Sequence, residues 1–471
     1  MVTERSGRVT RQRGALVIPL VAVAALFLAV IGTYRIGQLN RYICDGPCGA
    51  KYVEPPEELG LVVQRPIVPD LVRASALDKA KVESAVSSQL RQSALGSQVG
   101  FVALDPKTGA TLTSRGSGSM TPASTTKVLT AFAALTAIDS QTRFATRVVS
   151  DKAGSIVLVG GGDPYLDIRK PKTALYAHSA NLTELASRTA RALRKAGTKS
   201  VSLGFDDSLF SGPDVSSRWP ASYVTGNIVT PVSALWAAQG VGANGVRSRN
   251  PAQSAAAEFS GLLSKDGITV RAGTSRTKAT QAASKVAWVE SATVAQILES
   301  TIQHSDNEAA EVMLRHVAVA KGKPGTFDAG VSAVDEILDA AGIDTGGLRL
   351  FDGSGLSRDN LISPLTLAQT VRAATVEGPV DSFVSDLPVG GFSGSIYQRF
   401  NGNAIAGRGV VRAKTGTLTG VNSLTGIVND ADGRAIVFAV MADKTKAIPP
   451  LEAKAALDNV VAALARCHCG E

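Results

Sequence analysis

A helix that is apolar on almost every face cannot lie on a surface. Residues Thr125–Ile138 (TTKVLTAFAALTAI) form such a stretch after Lys127, which places them in the middle of a domain with other elements packed around them. The chain has the material to enclose that helix: 471 residues, 44% of them hydrophobic and 19% charged. This excludes global disorder, and the length suits two or three domains. Lys and Arg exceed Asp and Glu by 49 to 40, a net +9. The excess hints at an anionic partner but is too thinly spread to name one.

The enclosing elements come from both ends of the chain. A helix is expected over Ser75–Gln92, a buried strand over Val99–Leu104 and a second strand near Ala110–Thr113, joined by an Asp105–Gly109 turn. Near the other end, Val410–Leu418 reads as a strand, Val421–Val428 and Ala435–Met441 as a hairpin, and Pro450–Arg466 as a closing helix. One sheet thus takes two strands from the start and three from the end. Residues 140–284 are looser in texture, with a strand at Ile156–Val159 and a helix at Leu182–Ala196 that Asn181 and Glu184 cap. They are expected to form an inserted lobe, with the main domain joining 74–139 to 285–466. Helices are expected near 291–303 and 307–320.

Ahead of all this, Ala15–Thr33 is a 19-residue uncharged run behind Arg5, Arg8, Arg11 and Arg13. It is expected to be a single transmembrane anchor, with residues 1–14 cytoplasmic and 34–73 a Pro-rich spacer. A cleaved signal peptide is the competing reading, which would release a secreted protein. Either way the bulk of the chain lies outside the cytoplasm. No other run is long enough to span a bilayer.

No H-E-x-x-H, G-x-S-x-G, Walker loop or G-x-G-x-x-G is present. The short motifs that remain use Lys in place of His. Ser124-Thr125-Thr126-Lys127 is S-x-x-K, and residues i and i+3 of a helix share a face, so hydroxyl and amine can meet. A Lys held in an apolar pocket near another cation loses its proton readily and can act as a general base. Ser305-Asp306-Asn307 precedes a helix, and Lys414-Thr415-Gly416-Thr417 lies in a strand. Taken singly, each motif is more often a cap, a turn or a loop. A second S-x-x-K at Ser275–Lys278 has no apolar helix behind it, and a second K-T-G at Lys107–Gly109 is a turn. The three in order, each in its required context, point to chemistry.

In that order and context the chain resembles the class C (type-4) low-molecular-mass penicillin-binding proteins, the D-Ala-D-Ala carboxypeptidase/endopeptidase family S13. It also shares Leu158–Pro164, Asp352–Ser357 and Leu387–Gly391 with them, and the likeness covers about residues 75–466. The resemblance implies an α/β (α+β) fold of the serine β-lactamase/DD-peptidase type: an antiparallel sheet flanked by helices, with an inserted smaller lobe. It implies a membrane-anchored, penicillin-binding serine DD-peptidase that acts on peptidoglycan stem peptides and is inhibited covalently by β-lactams. Ser124 would be the nucleophile, Lys127 its base and Ser305 a proton relay. The N–H groups of Ser124 and Thr417 would form the oxyanion hole. Lys414, Thr415 and Thr417 would hold the terminal carboxylate, with Gly416 between them in the motif and Asn307 on the acyl side's amide. No metal, cofactor or nucleic acid is implied. Only about 180 residues separate the first two motifs, less than the family usually places there, so a third domain is expected to be missing or stunted. A β-lactamase of the same fold, or a catalytically idle wall-binding scaffold, are the alternatives.

The four cysteines stand at the ends: Cys44 and Cys48, then Cys467 and Cys469. The resembled fold sets its first and last helices side by side. A disulfide is therefore expected between one of the first pair and one of the second; the competing reading is local pairing.

Overall fold

The computed structural model describes residues 76–470, apart from 117, 170–179, 377–382 and 447–449. These fall within one compact unit, Pro69–Glu471. The expected tail, anchor and spacer lie outside the described residues. The expected single-pass placement in a membrane is corrected: among the described residues no helix is long and apolar enough to cross one. The most apolar helix with every residue described, Thr126–Ala137, has 12 residues. That is about 18 Å, against about 30 Å of hydrocarbon.

Strands β1 (Gln98–Leu104) and β2 (Thr111–Arg115) follow helix α1 (Lys79–Ser87). Next come α2 (Thr126–Ala137), β3 (Arg143–Lys152), β4 (Ser155–Val159), α3 (Leu182–Lys195) and β5 (Ser200–Asp206). Then follow α4 (Pro251–Lys265), β6 (Thr269–Arg276), β7 (Ser284–Thr293), α5 (Val294–His304), α6 (Asn307–Ala320), α7 (Phe327–Ala340) and α8 (Pro364–Val376). The chain closes with β8 (Val411–Leu418), β9 (Val421–Asn429), β10 (Ala435–Asp443) and α9 (Pro450–Arg466).

The first sheet has the order β2-β1-β10-β9-β8, antiparallel throughout, and draws its strands from both ends of the chain as the sequence pattern requires. β9 and β10 are buried along almost their whole length, because both faces are covered. On one face Val82 and Val86 of α1 meet Leu457 and Val460 of α9. On the other, Val102, Val437 and Ala439 join the cluster of α2, α6 and α8. Helix α2 is buried continuously from Thr126 to Leu135, which accounts for its lack of a polar face.

The second sheet, β6-β5-β4-β3-β7, is mixed. β4–β5 and β5–β6 are parallel, each pair bridged by a helix, α3 and α4 respectively. β3 pairs antiparallel with β4 and β7. One face buries Val148, Leu158 and Phe205 against Leu185 of α3 and Phe259 of α4. Asn181 caps α3 by accepting from the Glu184 N–H.

The cysteine expectation is corrected. Cys467 and Cys469 are joined to each other, their Cα atoms 5.1 Å apart, so neither is available to Cys44 or Cys48, which lie outside the described residues. The chain turns sharply after α9 because it is pinned on both sides of His468: Ala431 N–H donates to Cys467 O, and Cys469 O accepts from Asp78 N–H. That turn brings the two sulfurs together. The first and last elements still meet, through Leu77 pairing with Gly470.

Candidate active site

The turn that carries Ser124 is locked by small hydroxyls. Ala123–Thr125 is a 3-10 turn leading into α2, and Ala123 has φ +50°, a conformation that costs a non-glycine residue about 1–3 kcal/mol. Thr125 Oγ1 and Ser423 Oγ both donate to Pro122 O, at 2.7 and 2.6 Å, and Thr126 Oγ1 donates to Ala123 O at 2.9 Å. Gly416 of β8 and Gly355 press against this turn so closely that a Cβ on either would meet it. The glycine of K-T-G is therefore required by the approach of β8 to the Ser124 turn.

Lys127 is buried, and its Nζ donates to three oxygens: Ser124 Oγ at 3.1 Å, Asn307 Oδ1 at 2.7 Å and Ser354 O at 2.7 Å. Burial lowers its pKa to about 8, against the pull of Glu311 and then Asp352 in the other direction. Ser305 ends α5 in a left-handed conformation, φ +56°, and Asp306 caps α6 by accepting from Ala309 N–H. Ser-Asp-Asn is thus the hinge between two helices, and it sets Ser305 toward β8 and Asn307 toward Lys127. Lys414, also buried, donates to Ser305 Oγ and to Thr415 O, both at 2.8 Å. Burial first, and the charge of Lys127 second, hold its pKa well below the usual lysine range. Thr417 is exposed on the same strand, and Thr415 Oγ1 donates to Ser395 Oγ at 2.9 Å.

The three motifs therefore converge: S-x-x-K touches Asn307 through Lys127, and Ser305 touches K-T-G through Lys414. The discarded Ser275 lies on β6 of the other sheet. Sequence reasoning missed the group beneath the site. Glu311, one turn along α6 from Asn307, is fully buried. Its two oxygens accept from Gly353 N–H at 2.9 Å and Ser354 N–H at 2.8 Å. It thereby fixes the loop whose Ser354 carbonyl receives Lys127. Burial, then the charge of Asp352, pushes its pKa up to about 8, so Glu311 and Lys127 titrate together. Asp352 in turn accepts from Trp219 Nε1, Gly355 N–H, Ser357 N–H and Asn360 Nδ2. The available signal was an acid placed i+4 from Asn307 within the otherwise apolar run Ala309–Leu314.

A family model described as D-Ala-D-Ala carboxypeptidase 3 (S13) matches residues 82–244 and 238–464. The chain is 33% identical over 464 residues to a carboxypeptidase of Mycobacterium tuberculosis, covering 95% of this chain and 97% of that one. It is 32% identical over 469 residues to carboxypeptidase DacB of Mycolicibacterium smegmatis, covering 97% and 96%. Penicillin binding protein 4 (dacB) of Haemophilus influenzae has the same fold, with a TM-score of 0.67 at 23% identity over 82% of this chain and 99% of that one.

Proposed function

We propose a mechanism for a chain that belongs to the D-Ala-D-Ala carboxypeptidase 3 (S13) family and is a serine-type D-Ala-D-Ala carboxypeptidase. The single observation that carries it is the contact of Lys127 Nζ with Ser124 Oγ, 3.1 Å. As an ammonium, Lys127 gives all three protons to its three acceptors. As a neutral amine it gives two, to the shorter contacts at Asn307 and Ser354, and turns its lone pair toward Ser124. Ser124 Oγ then attacks the carbonyl of the penultimate D-Ala while Lys127 takes its proton. The N–H groups of Ser124 and Thr417 receive the oxyanion. Ser305 passes its proton to the leaving D-Ala amine and takes one in turn from Lys414, whose Nζ donates to its Oγ at 2.8 Å. Lys414, Thr415 and Thr417 receive the substrate's terminal carboxylate, with Gly416 keeping the strand close. Asn307 keeps Lys127 on its Oδ1 and offers its Nδ2 to the acyl side's amide. Water then frees the acyl-enzyme. β-Lactams mimic the D-Ala-D-Ala end and stop at the acyl stage.

Cutting of cross-links by the same residues is the second activity the reading allows, since it too replaces an amine on a D-Ala carbonyl. The test is product analysis on defined muropeptides with wild-type protein and Ser124→Ala. The expected result is release of D-Ala from pentapeptides, and a fluorescent penicillin label that the variant loses. A variant that still labels places the nucleophile elsewhere.

A further inference from the structure

On one face of the second sheet the described residues that pack are those of a loop: Val149, Val157 and Val159 lie against Ala279 and Ala283. The period of two along β3 sets Arg143, Ala145, Arg147 and Val149 on one side, opposite Val148, which packs on α3 and α4. Lys285 of β7 pairs across from Val149, and Trp288 across from Arg147, so both share that side. Residues 277–283 fold over it, held where Ala279 N–H donates to Asp206 Oδ2 at 2.8 Å, and they bring in Lys278. Arg143, Arg147, Val149, Lys278 and Lys285 border a groove of about 730 Å3, with Trp288 beyond its lining.

The groove is cationic with an apolar floor. Among the described residues no ion pair engages Arg143, Arg147, Lys278 or Lys285, while Arg143 Nη1 donates to Ser291 O at 2.7 Å and Lys285 Nζ lies 4.0 Å from the centre of the Trp288 ring. Two carboxylates stand against these cations: Asp206, which accepts from the backbone N–H groups of Ser208 and Ala279, and Glu290, which pairs with Ala145 and so shares that side. Val149 and Val159 pack beside Ala279 and Ala283. Trp288 is 41% exposed, whereas the other two tryptophans are buried. Arg143 and Arg147 are about 13 Å apart along the strand, the reach of four extended residues.

We propose that this groove holds a second stem peptide of the peptidoglycan, its carboxylates on Arg143, Arg147, Lys278 and Lys285 and its alanyl methyls against Val149 and Val159. The proposal rests on the D-Ala-D-Ala substrate read above. That substrate is a repeating polymer of short peptides rich in carboxylates and alanyl groups, which is the chemistry this groove complements. The groove is separate from the site: α6 places Asn307 in the site and His316 at the groove, about 14 Å further along the helix. Engaging one peptide here raises the effective concentration of the next at Ser124.

The test is co-sedimentation of the full chain with insoluble peptidoglycan after penicillin has blocked Ser124, comparing wild type with the double variant Arg147→Glu, Lys278→Glu. Both side chains are exposed, and normal penicillin labelling certifies the fold of the variant. The expected result is that blocked wild type still sediments, less so at high salt, and that the double variant binds at least about tenfold more weakly. Its kcat/KM on a small soluble D-Ala-D-Ala peptide stays unchanged. Should the variant fail to label, Lys285→Glu replaces it with the same expectation. Equal sedimentation of variant and wild type overturns the proposal. So does binding that survives enzymatic removal of the stem peptides yet is lost when wall phosphodiesters are stripped. Turnover of the soluble peptide by the unblocked wild type is read separately, so failure of the D-Ala-D-Ala reading is distinguishable from failure of the groove.

Discussion

At the scale of single residues, the site is a problem of keeping two buried lysines from both being charged. Lys127 loses its proton near pH 8, so penicillin acylation is expected to rise as pH climbs through about 8. Glu311 opposes that loss, since its anion is the largest influence raising the pKa of Lys127. Glu311→Gln removes the anion, and the acylation profile is expected to move toward lower pH by about one unit. Stopped-flow acylation across pH 6–10 measures this, and an unmoved profile refutes the assignment. Ser124→Ala, by contrast, is expected to abolish labelling while costing the fold about 1 kcal/mol or less, checked by thermal melting. The difference in legibility between these residues is physical. Ser124, Lys127, Ser305 and Lys414 stand in short motifs with a fixed spacing. Glu311 and the Ser354 carbonyl act through a loop contact between residues that lie 43 positions apart, and nothing local marks such a contact.

At the scale of elements, close approach of β8 to the Ser124 turn decides whether the site exists. Gly416→Ala places a methyl against Pro122 O, Thr125 N and Ser423 Oγ. The expected cost is about 1–3 kcal/mol, with loss of acylation larger than the loss of stability would explain, because the strand N–H at Thr417 is displaced. Chemical denaturation and labelling rate, measured on one preparation, separate the two effects. Local pattern made the first sheet readable: β9 and β10 flank a turn rich in Asn, Asp and Gly, and α2 has no polar face. The second sheet was far less so. Its parallel pairs, β4–β5 and β5–β6, are joined across helices, and no turn signal announces a crossover. β7 also runs on to Thr293, into a stretch that had read as helix from residue 291. Pairing with β3 keeps Ala287 and Val289 on the buried side, and the helix starts only where Thr293 supplies a capping box.

At the scale of the molecule, we propose that an inserted lobe, expected over 140–284, takes in β7 as far as Thr293 because β7 pairs with β3, and that it holds together without help from chain continuity. Cleavage in 277–283, between β6 and β7, leaves both flanking strands paired, β6 to β5 and β7 to β3. The nicked protein is expected to elute as one species under native conditions and to retain penicillin labelling; separation of the fragments counts against the lobe. The catalytic sheet is built in the opposite way. Gln98 pairs with Asp443 and Leu104 with Val437, so β1 cannot find its central partner until residue 443 has been made. The intervening lobe, whose strands are contiguous in sequence, is free to form first, whereas the sheet that positions Ser124 closes last and slowly, across a very long loop. During biosynthesis the nucleophile is therefore present long before it is armed. A chain that has grown only as far as β8 carries Ser124, Lys127 and Ser305 and yet has no strand to close the site, so the hydrolase cannot act before Val411–Leu418 has been made and paired.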